Sequence, residues 1–129
     1  MSASLSAMSF FKILPEDIDT NTIFKCSTFL NQIWNSSVVS AYEKTNKAFK
    51  LNFNATKQIL AIKKYHKRAT SFITTIDSMS NKIIENGGMI GEKFYKFIEE
   101  YKIKTLEAIS NDLNFMHSEC NNYEVMELL

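Results

Sequence analysis

Turn-forming residues are scarce in this chain: three glycines and one proline, Pro15, punctuate 129 residues. A β-sandwich or barrel needs a turn signal every ~8–12 residues, so the scarcity excludes an all-β reading and predicts an all-α fold of a few long helices. Cysteine is equally sparse. Cys26 and Cys120 stand near opposite ends of the sequence, which predicts reduced thiols and no disulfide framework. No apolar run approaches the ~20 residues of a membrane-spanning helix. The opening MSASLSAMSFFKIL reaches its first lysine only at Lys12 and so lacks the basic region of a secretory signal. The expected location is cytoplasmic, where the sequons at Asn35 and Asn54 carry no sugar.

What is present is an ordinary globular composition, 45% hydrophobic and 22% charged, at a length that supports one modest core. The net charge of +1 conceals an asymmetry. Eight basic and no acidic residues lie between Lys44 and Arg68, whereas five acidic residues and no lysine or arginine lie from Thr105 onward. Such a division lets antiparallel copies attract each other, or a basic face meet an anionic partner.

Residues 1–18 read as a flexible lead with an apolar patch at Phe10, Phe11, Ile13 and Leu14, and residues 19–118 as a single helical domain. Within that domain a first helix is expected over roughly Thr20–Asn35, with Ile23, Cys26, Leu30, Ile33 and Trp34 at helical spacing. Asn35-Ser36-Ser37 suits either a break or an uninterrupted helix. A seam at steps of three and four then runs through Ala41, Ala48, Leu51, Ala55, Ile62, Tyr65, Ala69, Phe72, Ile76, Met79 and Ile83, interrupted by Lys44 and Gln58. It predicts one long helix to Ile84 with coiled-coil character. Asn86-Gly87-Gly88 marks a turn, and a helix from about Met89 to His117 folds back antiparallel. The expected architecture is a long antiparallel hairpin or a small helical bundle, with residues 119–129 as a frayed acidic tail.

Catalytic and metal chemistry find little footing. His117 and Cys120 share a short segment, but a tetrahedral metal site needs more ligands. Glu16/Asp17 and Glu99/Glu100 are adjacent pairs that point ~100° apart on a helix, so neither pair shares a proton. No phosphate-binding glycine loop occurs. Neither an enzyme, a cofactor nor a metal is expected. The run KKYHKR, residues 63–68, spreads around a helix, and with the near-neutral total charge neither nucleic acid nor an anionic membrane is the expected partner, although binding to either through this run stands as a third reading behind the two given below.

The stretch KAFKLNFNATKQIL, residues 47–60, is the most informative. Read as one helix at ~100° per residue, it places Lys47, Lys50 and Lys57 on one side with Lys64 and Arg68. Phe49, Leu51, Phe53, Ile59, Leu60 and Ile62 then fan over more than half of the remaining circumference, wider than a hairpin partner covers. Phe49, Phe53 and Leu60 are the excess. They predict a surface for oligomerisation, another helix or an apolar ligand, with packing in the chain's own core the commonest explanation for such residues.

Lys50-Leu51-Asn52-Phe53-Asn54-Ala55-Thr56-Lys57 is similar to a helix segment of the phasins, small helical proteins that coat polyhydroxyalkanoate granules. Phe94 to Tyr101, followed by Thr105-Leu106-Glu107-Ala108, resembles the aromatic-rich later helix of that family. The resemblance spans roughly Thr28–Asp112, although lysine, asparagine, isoleucine and phenylalanine replace the alanine, glutamate and glutamine that phasins favour. It implies a non-enzymatic, granule-associated, self-associating protein whose apolar face lies on a polyester surface and whose charged face meets water. The alternative is a helical protein–protein interaction module, such as an adaptor, chaperone or effector subunit.

Overall fold

The structure, a computed structural model, describes residues 20–85 and 92–129; the expected lead at 1–18 and the turn at 86–88 lie outside the described residues. The described residues are mostly helical with no strand among them, in agreement with the all-α expectation. Helix α1 covers Thr20–Ile33 and passes through a π-helical stretch, Trp34–Val39, into α2, Ser40–Lys50. Helix α3 spans Ala55–Glu85, α4 spans Glu92–Glu119, and a short α5 covers Tyr123–Met126.

The long helix expected across Leu51 is divided there, and the reason is local. Asn52 has φ 52°, in the left-handed region. Its N–H donates to the Phe49 carbonyl at 3.1 Å, and the Phe53 N–H donates to the Ala48 carbonyl at 2.9 Å. Together these bonds form the Schellman stop, in which two otherwise orphaned carbonyls are satisfied by the residues that leave the helix. Asparagine is the residue after glycine that tolerates this conformation best. Two positions on, Asn54 Oδ1 accepts from the Lys57 N–H at 2.9 Å and so caps the start of α3. LNFN therefore both ends one helix and begins the next.

With the corner in place, α3 runs back along α1 and α2. Gln58 Nε2 donates to the Ala48 carbonyl at 3.4 Å, Thr45 Oγ1 reaches the Ala61 carbonyl at 3.3 Å, and Arg68 Nη1 donates to the Ser37 carbonyl at 3.2 Å. Trp34 meets Phe72 with ring centroids 5.2 Å apart. Residue numbers rise on one helix as they fall on the other, which defines an antiparallel pair. Helix α4 is antiparallel to α3, through Tyr65–Asp112 at 2.9 Å and Asp77–Lys102 at 2.7 Å. It is parallel to the first helix, through Asn31–Tyr101 at 2.8 Å and Tyr42–Phe115 at 6.3 Å. The bundle thus has three long helical segments, up, down and up, where the sequence left hairpin and bundle both open.

The seam from Ile62 to Met79 is buried against the chain's own helices, with Leu30, Val38, Phe94, Ile98 and Met116 facing it. Burial of this kind stabilises by roughly 1.5–3 kcal/mol per large side chain. Gln58, which interrupts the seam, is also buried, with its amide spent on the end of α2. The tail expected to fray is docked instead. Cys120 and Val125 are buried, Asn122 Oδ1 accepts from the N–H groups of Glu124 and Val125, and His66 Nε2 lies 3.0 Å from the Leu128 carbonyl. A cap and two apolar anchors outweigh the polar composition that predicted disorder.

Two substitutions test the corner. Asn54→Ala should lower unfolding free energy by about 1 kcal/mol through the lost cap. Asn52→Val should cost at least about 1–2 kcal/mol, while Asn52→Gly should be near neutral, because only a β-carbon opposes the left-handed conformation. Urea unfolding followed by circular dichroism measures all three, and equal stability of the valine and glycine variants would sink the account.

Candidate functional site

The corner and the first three turns of α3 contain the residues that the sequence placed at a binding surface, and the structure sorts them into three groups. Phe49 and Ile62 belong to the core and present nothing outward. Ile59 is half-buried against that core. Leu51, Phe53 and Leu60 are 58%, 36% and 62% exposed. The excess apolar surface is therefore a small corner patch, not a broad stripe, and Phe49 is covered by the chain's own helices.

The basic face divides likewise. Lys47 and Lys50 belong to α2, whereas Lys57 and Lys64 belong to α3, so the single lysine stripe drawn on one helix does not exist. Arg68 turns inward to Ser37, whose carbonyl also accepts the Ser40 N–H at the end of the π-helical stretch. A π turn widens the backbone and leaves carbonyls poorly served, which is where a guanidinium with several donors is useful. Lys57 sits with its ammonium 5.5 Å from the Phe53 ring centroid, a geometry suited to cation–π attraction.

Between the corner and the docked tail lies a cleft of about 390 Å³ whose lining includes Asn52, Phe53, Gln58, Glu119, Asn122 and Tyr123. Its polar walls are mostly carboxamides, which neither accept nor release protons near neutral pH. Among the described residues no group of three or more His, Cys, Asp or Glu is placed to hold a metal ion. Burial pushes the Cys26 thiol up to about 12, so it stays protonated and is a poor nucleophile. Cys120 is buried with Sγ donating to the Asn122 carbonyl at 3.4 Å. Among the described residues no helix is long and apolar enough to cross a membrane.

One polar pair escaped the sequence reading. Tyr65 is buried and its hydroxyl donates to Asp112 Oδ2. Burial and then the neighbouring carboxylate hold the phenol well above its ordinary value. Burial raises Asp112 too, partly offset by the hydrogen bond it receives. No spacing rule joins residues 65 and 112; only the packing of α3 on α4 does. The exposure of Tyr95, Ile103 and Leu106 on the outer flank of α4 was likewise not read from the sequence.

Compared with protein-family models, curated proteins and solved structures, the chain finds no match among any of them.

The Tyr65–Asp112 pair has a signed pH dependence. Because the folded-state pKa of Asp112 is raised, its contribution favours the fold at low pH and is lost as pH rises through that pKa. Asp112→Asn should thus be more stable than the parent near neutral pH, with the gap closing on acidification. Tyr65→Phe should cost about 1–2 kcal/mol at neutral pH through the lost hydrogen bond to a charged acceptor. Thermal unfolding of the three proteins across pH checks both; a gap that widens on acidification contradicts the assignment.

Proposed function

We propose that this chain is a non-enzymatic helical protein that coats an apolar particle of the polyester storage-granule kind, in the cytoplasm, and self-associates. The exposure of Leu51, Phe53 and Leu60 at the α2–α3 corner supports the reading, since these side chains are beyond the reach of the core that covers Phe49 and Ile62. Each apolar Å² removed from water at a particle surface contributes ~25 cal/mol. The lysines that ring these side chains keep their ammoniums in water at the rim of the contact, where like charge keeps coated particles apart. The core seam is occupied within the chain, so self-association falls to another face. Tyr95, Ile103 and Leu106 on α4 are the apolar candidates.

The same α4 flank favours a second reading, a helical interaction module whose partner is another protein. Exposed aromatic and aliphatic residues on one helix flank are the anchors that helix–helix recognition uses.

Two experiments separate these readings. The purified chain should sediment with polyester particles, and Leu51→Ser with Leu60→Ser should abolish this without loss of helix content. A parent protein that stays in the supernatant, while a known coat protein sediments, rules the coat out. By light scattering the parent should exceed monomer mass, and Ile103→Asp with Leu106→Asp should return it to monomer. A parent that is monomeric, and that captures one stoichiometric protein through α4, favours the interaction module.

A further inference from the structure

The run KKYHKR looks diffuse on a helical wheel, yet the bundle uses its members unequally. Tyr65 points into the core, His66 contacts the Leu128 carbonyl, and Arg68 is held by Ser37. Lys63, Lys64 and Lys67 stay exposed. With Lys57 they fall within an arc of about 120° on α3, and Leu60 lies at its centre. Buried Gln58, Ile62, Tyr65 and Ala69 occupy the opposite side. The arc therefore faces solvent squarely, and it runs for about 15 Å along the helix.

No acidic residue occurs between Lys44 and Arg68, and none of these four lysines has an ion-pair partner among the described residues. The tail that carries Glu124 and Glu127 reaches α3 at His66, at the edge of the arc. Phe53 lies beside the Lys57 ammonium at the rim of this arc, where its ring also lines the cleft with Gln58 and Glu119. Unpaired like charges ringing an exposed leucine repel one another unless an anionic surface meets them. A phosphodiester backbone would pair with the lysines but has no use for Leu60, which offers no aromatic plane for a base to stack on. A lipid interface uses both: headgroup charge attracts the lysines, and the headgroup–acyl boundary accepts Leu60 and Phe53.

We propose that this face of α3 docks on an anionic phospholipid bilayer surface, with Leu60 and Phe53 entering the headgroup region and Lys57, Lys63, Lys64 and Lys67 held at its negative charge. This goes beyond the coat reading above: it rests on the geometry of α3 and names a different surface. It also raises a reading that the run of sequence alone ranked third.

The test is co-sedimentation of the full chain with four targets. These are phosphatidylcholine vesicles, vesicles with about one third phosphatidylglycerol, neutral polyester particles and a single-stranded oligonucleotide. Binding is expected on the phosphatidylglycerol vesicles, weak on phosphatidylcholine, and falling as salt is raised. Lys63→Gln with Lys64→Gln and Lys67→Gln should weaken it on the order of a hundredfold, and Leu60→Ser about tenfold. These side chains are exposed, so unchanged circular dichroism is the accompanying control. Equal partition onto both vesicle types, parent-like binding by the lysine variant, or oligonucleotide binding without vesicle binding would each overturn the proposal. Coating of polyester particles without vesicle binding overturns this inference and leaves the coat reading intact. Vesicle binding without polyester coating supports this inference and removes the coat reading.

Discussion

A left-handed backbone at a single residue sets the course of the chain. With Asn52 at φ 52°, α2 stops at Lys50, and capping by Asn54 starts α3 five residues later. Were the helix to continue, the side chains of α3 could not turn back onto those of α2. Thr45, Ala48 and Phe49 would lose the Ala61, Gln58 and Ile62 side of their burial. The antiparallel pair that α4 packs on would then not exist. The corner also decides what remains outside, because Leu51 and Phe53 lie where the chain bends away from the core.

Polar contacts then fix how the helices are arranged, and the apolar core supplies most of the stabilisation. Gln58 and Arg68 each carry a hydrogen bond from a side chain on one helix to a backbone carbonyl on its neighbour, and the Thr45 hydroxyl, which donates to Ala41 at 2.8 Å within α2, lies 3.3 Å from the Ala61 carbonyl. Tyr65 and Tyr101 add side-chain bonds that join α4 to α3 and to α1. Each contributes on the order of 1 kcal/mol, but a register slip would leave a buried polar group unpaired at greater cost. The Asp77–Lys102 pair is at the surface and screened, so its role in stability is minor.

Helical content and most of the core were legible in the sequence because period and burial coincide: Ala41, Ala48, Ile62, Tyr65, Ala69, Phe72, Ile76 and Met79 are all inside. The break at LNFN was not read, since the apolar period passes through it unbroken and no glycine announces it. Asparagine at two of four positions was the available signal, as a left-handed stop followed by a cap. The docked tail was missed for a related reason. Composition describes Glu124 and Glu127, whereas Cys120 and Val125 decide where the segment goes. The exposed apolar patch was half legible: Phe53 and Leu60 lie at the surface, while Phe49 is covered by helices whose placement depends on the corner.

Trp34, the only tryptophan of the chain, packs on Phe72 about 25 Å along the helices from the α2–α3 corner. The protein thereby carries its own optical reporter, placed between the first helix and α3 and remote from Leu51 and Phe53. An emission change on binding would mean that the helices themselves part at the π-helical end, and steady emission that the bundle attaches as a rigid body. The position of one indole separates a bundle that opens on contact from one that attaches intact.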